Sequence, residues 1–205
     1  MSAPVVGVIL AGGLARRMGG GDKALLPLAG RTLLDHLLAR LQPQVAAVVL
    51  NANGDPARFA SWQFPVVPDT LEDHLGPLAG ILAGMRWAAS HRRDTVDIVT
   101  VPADTPFVPR DLVARLLQGR DAMLGARCAV AQSQRRIHPT VGLWPVSSAD
   151  DLDAALRAGL RKVADWLPPQ QTAAANFSSP DGDPFFNVNT PDDLALAERM
   201  AALMP

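Results

Sequence analysis

Val5-Val6-Gly7-Val8-Ile9-Leu10-Ala11 runs without a break into Gly12-Gly13-Leu14-Ala15-Arg16-Arg17-Met18-Gly19-Gly20-Gly21-Asp22-Lys23. The apolar run reads as a buried strand, because β-branched side chains fit a pleated core surface and the paired glycines stop it. In the loop that follows, glycines let backbone N–H groups close on an oxyanion with no Cβ in the way. Arg and Lys add positive charge. A strand that empties into such a loop opens an α/β fold and suits a nucleoside triphosphate at its carboxyl end.

The alternation continues along the chain. Val45–Leu50, Phe64–Val67 and Val96–Val101 are short apolar runs that read as strands, while Thr32–Leu41, Leu78–Ala89 and Arg110–Leu117 carry helical spacing. Strand and helix in turn predict βαβ units: an α/β fold, a single Rossmann-like domain whose mostly parallel twisted sheet has helices on both faces. The later residues are less regular. Ala122–Ala131 and Ile137–Trp144 are expected to pair as strands across Gln132–Arg136. Asp150–Arg157 reads as a helix whose acidic start suits the helix dipole. Ala158–Leu167 reads as a short helix ended by Pro168-Pro169. Thr190–Leu203 reads as the last helix, with Thr190 as N-cap and Pro191 in its first turn. No repeat or linker divides residues 1–205, which read as one domain with a nucleotide-binding half at about 1–118 and a second half at about 119–205.

With 48% hydrophobic and 19% charged residues, the 205-residue chain has the make-up of a folded domain rather than a disordered one. A net charge of -1 gives no support for a nucleic-acid or membrane-surface binder, so positive charge used on phosphates must be local. The single Cys128 leaves no internal disulfide, and with no Cys-His arrangement around it reads as a small buried residue. No apolar stretch has the length of a membrane span, and the first residues lack the pattern of a secretion signal. A cytoplasmic protein is expected.

Open α/β sheets bind ligands at the carboxyl ends of their strands. Those ends are Leu10–Lys23, Asn51-Ala52-Asn53, Pro68-Asp69-Thr70 and Pro102-Ala103-Asp104-Thr105-Pro106, and all four are expected on one rim. Asp104, between two prolines, suits Mg²⁺, which takes one or two carboxylates beside phosphate oxygens and water. Read alone, it serves equally well as the cap of a following turn. Asn51, with Asn53 and Gly54, also reads as an ordinary turn former. In Gly76-Pro77-Leu78-Ala79-Gly80 small residues begin a helix and leave room for a base against the backbone. Asn187 and Asn189 stand two apart and would face one side of an extended strand. His138, before Pro139, reads most simply as a loop residue.

Two common phosphate loops do not fit. A Walker A loop needs a hydroxyl after its Lys, and Ala24 stands there. A dinucleotide fingerprint needs G-x-G-x-x-G opening a helix directly, whereas Gly12 and Gly13 are adjacent. The loop instead resembles the nucleotidyltransferase signature, with Leu10-Ala11-Gly12-Gly13, Arg17-Met18-Gly19 and Lys23 as its fixed residues. Its form, with Asp22-Lys23 after the glycines, is similar to the molybdenum cofactor guanylyltransferases, the MobA family. Gly76–Gly80, the P-x-D-T-P segment at Asp104, His138-Pro139-Thr140 and Asn187-Val188-Asn189-Thr190-Pro191 carry the likeness to about Leu194.

The resemblance implies GMP transfer from GTP to the terminal phosphate of molybdenum-bearing molybdopterin, giving the guanine dinucleotide form of the cofactor and pyrophosphate. It implies GTP contacts from Leu10, Ala11, Gly12, Gly13, Lys23, Asn51, Asp69, Gly76, Gly80 and Asp104. Catalysis falls to Arg17, Lys23 and Asp104, with Mg²⁺ on Asp104. The chemistry of the base fits Asp69, since a carboxylate accepts from both N1–H and N2–H₂ of guanine, a pair that cytosine and adenine lack. Acceptor contacts are implied for Asn187, Asn189 and His138 in the second half, where amide donors and acceptors suit a pterin edge. The partners implied are GTP, molybdopterin, and the molybdoenzyme apoproteins or their chaperones that receive the product. An ionised phosphate nucleophile needs no general base, so catalysis by charge and position is expected. Three other readings stay open: a cytidylyltransferase acting on the same acceptor, a nucleotidyltransferase for another phosphorylated acceptor such as a sugar or cobalamin precursor, against which Asn187–Pro191 argues, and a non-catalytic carrier of the finished cofactor.

Overall fold

β1 (Val5–Leu10) lies between two parallel partners, β4 (Ala47–Asn51) and β6 (Asp97–Pro102). Its residues alternate between the two faces of the sheet, as the period-two geometry of a strand requires. Val5 and Ile9 join one core with Leu34, Leu37 and Leu41 of α1 (Leu33–Leu41) and Leu112 and Leu116 of α3 (Leu112–Ala122). Val6 and Val8 join the other with Leu78, Ile81, Leu82 and Met85 of α2 (Pro77–His91) and Leu152 and Leu156 of α4 (Ala149–Arg157). Val6, Val8 and Ile9 are fully buried, each contributing about 1.5–3 kcal/mol of transfer free energy. Helices on both faces follow from this two-sided burial.

The structure, a computed structural model, describes residues 3–12, 21–71, 76–167, 169–178 and 182–203. Gly13 and Arg17 of the first loop lie outside the described residues. Among these, seven strands form one sheet in the order β5-β4-β1-β6-β8-β7-β9, with β5 at Val66–Val67, β7 at Cys128–Ser133, β8 at Arg136–Pro145 and β9 at Thr172–Asn176. All pairs are parallel except those of β8, which runs antiparallel to β6 and β7. A two-stranded hairpin, β2 (Pro27–Leu28) with β3 (Arg31–Thr32), stands apart from it. Going outward from β1 the chain first builds β4 and β5 on one side, then crosses to β6 on the other. The carboxyl ends of β1 and β6 are therefore a topological switch point, where such sheets bind ligands.

Several elements differ from the sequence reading, each for a physical reason. α3 runs on to Ala122 because one further turn brings Arg120 Nη1 to 2.7 Å from Asp97, whose buried carboxylate needs a countercharge. The following strand accordingly starts at Cys128 rather than near Ala122. β7 and β8 do pair, but through a two-residue turn at Gln134 and Arg135, both at positive φ, so the strands reach to Ser133 and Arg136. The helix expected over Ala158–Leu167 shrinks to α5 (Val163–Trp166). Gly159 (φ 100°) closes α4 by a Schellman motif, its N–H donating to Leu156 and that of Leu160 to Ala155. β9 went unseen. Thr172-Ala173-Ala174-Ala175-Asn176 has almost no β-branched residue, and its small side chains instead let Gly119 of α3 come close to Ala175.

α6 (Pro191–Leu203) begins at Thr190, whose Oγ accepts from Asp193 N while Asp193 Oδ2 accepts from Thr190 N and Asn189 N. A small third core of Leu28, Leu33, Phe107, Val188 and Ala197 fixes this helix and the segment before it against the hairpin. That packing delivers residues 187–189 to the carboxyl end of β6.

Candidate active site

Register brings the four expected strand ends level. Leu10 is paired with Asn51 on one side and Pro102 on the other, and Asn51 is paired with Val67. The ladder continues one step past the strands, where Ala11 N donates to Asn51 O, Ala103 N to Leu10 O and Ala52 N to Val67 O. Above this level opens a cleft of about 320 Å³ lined by Leu10, Ala11, Gly12, Lys23, Ala24, Asn51, Asn53, Asp69, Gly76, Pro77, Pro102, Ala103, Asp104 and Thr140.

At its centre Lys23 Nζ donates to Asp104 Oδ2 at 2.8 Å and to Asn189 Oδ1 at 2.6 Å. The Lys23 and Asp104 side chains are 14% and 15% exposed, so the pair is largely shielded yet opens on the cleft. Asp104 O accepts from Val188 N, and the buried Thr105 hydroxyl donates to Asn187 Oδ1. Asn187 thus turns its amide oxygen to Thr105, and Asn189 turns its own to the Lys23 ammonium that Asp104 also holds. Asp193 holds the backbone beneath them. Its carboxyl lies below the usual value although desolvation opposes this, because the N–H groups of Asn189 and Thr190, the Thr190 hydroxyl and the Lys23 charge favour the ionised form.

Toward β5, Asp69 is gripped by two amides. Asn51 Nδ2 donates to Oδ1 at 3.0 Å and Asn53 Nδ2 to Oδ2 at 2.8 Å, while Asp69 N donates back to Asn53 Oδ1. The carboxylate is fixed in one orientation, and each of its oxygens keeps acceptor capacity beside the amide it already holds. Asn53, expected on the rim but read there as a turn former, is as closely involved as Asn51. Its signal was the two-residue spacing at a strand end.

Gly76 and Pro77 line the cleft, and Gly76 holds φ 73° at the entry to α2, a conformation that favours glycine. Gly80 is different. The space expected for a base there is filled by Asn51, whose amide would collide with a Cβ, and by Leu10 Cδ2 at 2.8 Å from it. Its missing side chain seats Asn51 against α2.

Thr140 reaches the cleft through a bulge. Val130 is paired with Gly142 but Ala131 with His138, so residues 139–141 arch out of the ladder, where Pro139 owes no N–H. His138 itself is buried. Its Nε2 lies 2.7 Å from Ser133 Oγ, and that hydroxyl donates to Asp183 Oδ1 at 2.7 Å. With the Ser133 hydroxyl hydrogen directed at Asp183, the His138 ring donates to Ser133 Oγ from Nε2. Burial pushes its pKa down, with Asp183 opposing and Arg136 adding to the fall.

A cleft at a sheet switch point, holding one Lys–carboxylate pair and a second carboxylate fixed by two amides, suits a nucleotide and the transfer of its phosphoryl group. The chain matches the family model described as "MobA-like NTP transferase domain" over residues 7–173 and belongs to that family. It is 52% identical over 200 residues to a molybdenum cofactor guanylyltransferase of Bradyrhizobium sp. (strain ORS 278), covering 97% of this chain and 94% of that protein. It is 49% identical over 201 residues to one from Nitrobacter hamburgensis, covering 98% and 96%. The fold is that of the molybdopterin-guanine dinucleotide biosynthesis protein A of Archaeoglobus fulgidus, with a TM-score of 0.76, 24% identity and 98% and 100% coverage. No helix among the described residues is long and apolar enough to cross a membrane.

Proposed function

We propose that this cleft transfers GMP from GTP to the terminal phosphate of molybdenum-bearing molybdopterin, releasing pyrophosphate. The observation that carries this reading is the Lys23 ammonium between Asp104 and Asn189, where the phosphate loop, a metal-competent carboxylate and the acceptor segment meet. The likeness to guanylyltransferases along nearly the whole chain supplies the substrates.

In this reading the first loop, from Leu10 to Gly13 with Arg17 and Lys23, cradles the triphosphate. Asp69, oriented by Asn51 and Asn53, reads the base beside Gly76. Asn187 and Asn189 hold the pterin, and His138 acts on their segment from behind through Ser133 and Asp183. About residues 1–118 then serve the nucleotide and about 119–205 the acceptor. The residues fit Mg²⁺: Asp104 offers one carboxylate into the cleft, and the triphosphate supplies further oxygens. When bound there, Mg²⁺ would supply charge neutralisation at the phosphates. The acceptor phosphate oxygen forms the new bond to the α-phosphorus as the bond to the β-phosphate bridge breaks, and Lys23 and Arg17 offset the charge on the departing pyrophosphate. The product would pass to molybdoenzyme apoproteins or their chaperones.

The deciding experiment is pyrophosphate release with Mg²⁺ and molybdopterin, with GTP, CTP and ATP in parallel. Release with GTP alone is expected. Release with CTP would overturn the base assignment, and binding of GTP without release would point to a carrier.

A further inference from the structure

Asp22 precedes the phosphate-anchoring Lys23, an unfavourable place for a negative charge. It occupies the N-cap position of a short 3₁₀ turn, Lys23–Leu25, yet its side chain makes no capping hydrogen bond. Its carboxylate instead lies 2.9 Å from Arg58 Nε. Arg58 comes from another 3₁₀ stretch, Pro56–Trp62, anchored in the core by the buried Phe59. Its other end donates from Nη2 to the carbonyl of Asn53. Gly54, at φ 85°, makes room for it, since a Cβ there would stand 3.0 Å from Arg58 Nη1. Neither Asp22 nor Arg58 lines the cleft.

We infer that Arg58 is a positioning residue that straps the phosphate-binding end of the site to its base-reading end and neutralises Asp22. The links run from Lys23 to its neighbour Asp22, through the guanidinium to Asn53, and from Asn53 by paired hydrogen bonds to Asp69. One guanidinium thus sets the separation between the group that holds phosphate and the group that reads the base. It also keeps the Asp22 carboxylate turned from the triphosphate. Without it Asp22 is an unpaired anion beside Lys23, competing with phosphate for that ammonium. The inference rests on the GTP reading above.

The test compares wild type, Arg58→Ala, Asp22→Asn and the double variant, measuring kcat and KM with GTP and with ITP, which lacks the 2-amino group. Arg58→Ala is expected to lower kcat/KM for GTP roughly tenfold to a hundredfold, the scale of a small misplacement within a site. It should narrow the preference for GTP over ITP and leave the acceptor KM unchanged. Asp22→Asn in the Arg58→Ala background should recover part of the loss in nucleotide KM but not the base preference, because it removes the stray charge without restoring the strap. Unchanged GTP kinetics in folded Arg58→Ala, or a double variant no better than the single one, would overturn the inference. So would an equal loss toward GTP and acceptor that tracks a lower Tm, which is the mark of a merely structural ion pair. Failure of the parent reading shows in the wild type, as no pyrophosphate released from GTP.

Discussion

Lys23 Nζ lies 2.6 Å from Asn189 Oδ1 although 166 residues separate them, and the same ammonium holds Asp104 at 2.8 Å. A side chain from the loop after β1 is thereby tied to the segment before α6 through one amide. Under the proposed function, a triphosphate that engages Lys23 would compete with both partners and so couple nucleotide binding to the setting of Asn189.

Lys23→Ala removes the only cation of the described cleft lining and leaves Asp104 without its countercharge. Transfer should fall by about 10²–10³-fold, the usual cost of one preorganised electrostatic contact to a developing charge. Asp104→Ala should match it. Both sites open on the cleft, so the fold should persist, and circular dichroism with a pyrophosphate assay checks the pair together. Normal turnover in either purified variant would sink the assignment.

Asn189→Ala should raise the KM for molybdopterin more than that for GTP. The nucleotide loses no direct contact and gains a Lys23 with one partner fewer, whereas the acceptor loses an amide. Initial rates with each substrate varied at saturation of the other make the measurement. Equal loss on both sides would count against the division of roles.

Much of this site could be read in the chain because strand ends announce themselves. Asp69, Asp104, Asn51 and Lys23 each follow an apolar run or its loop, and parallel register does the rest. Asn187 and Asn189 were legible only as a repeated amide, since their meeting with Asp104-Thr105 depends on the small core under α6. Asn53, Thr140 and Asp22 were legible only as members of their segments, without a role, and Arg58 was not legible at all. Thr140 enters through a bulge whose only trace is Pro139 within a strand, and Arg58 acts through an ion pair 36 positions from Asp22, which no local pattern records. β9 escaped because alanine carries little strand preference and its place is set by pairing with β7.

Gly80→Ala tests the packing of Asn51. A Cβ would meet Leu10 and the Asn51 amide, which its hydrogen bonds to Val67 O and Asp69 hold in place. Overpacking of this kind costs about 1–3 kcal/mol. The expected result is a lower Tm together with weaker preference among nucleotides, since Asn51 orients Asp69. A variant with unchanged Tm and unchanged preference would show that α2 shifts freely, contrary to its close contact with β1 at Gly84 and Val8.

His138 gives the pH dependence. Burial lowers its pKa in the folded protein, Asp183 opposes this and Arg136 reinforces it, while the unfolded chain keeps the ordinary value near 6.5. Above that value both states hold a neutral ring and the residue contributes no slope. As pH falls through it, the unfolded chain takes a proton that the folded one refuses, so stability declines until the folded ring also protonates. Asp35 and Asp193, whose carboxyls lie below 3.8 when folded, lose their contribution only at still lower pH. Thermal melts between pH 8 and 5 should therefore fall more steeply for wild type than for His138→Gln, which keeps a donor for Ser133 but cannot titrate. Because Ser133 links His138 to Asp183 at the head of the segment carrying Asn187 and Asn189, the acceptor KM of wild type should hold while the melts first decline and rise only at lower pH, once the folded ring itself protonates, with the GTP KM unchanged throughout. Parallel melting curves for the two proteins would remove His138 as the origin of the effect.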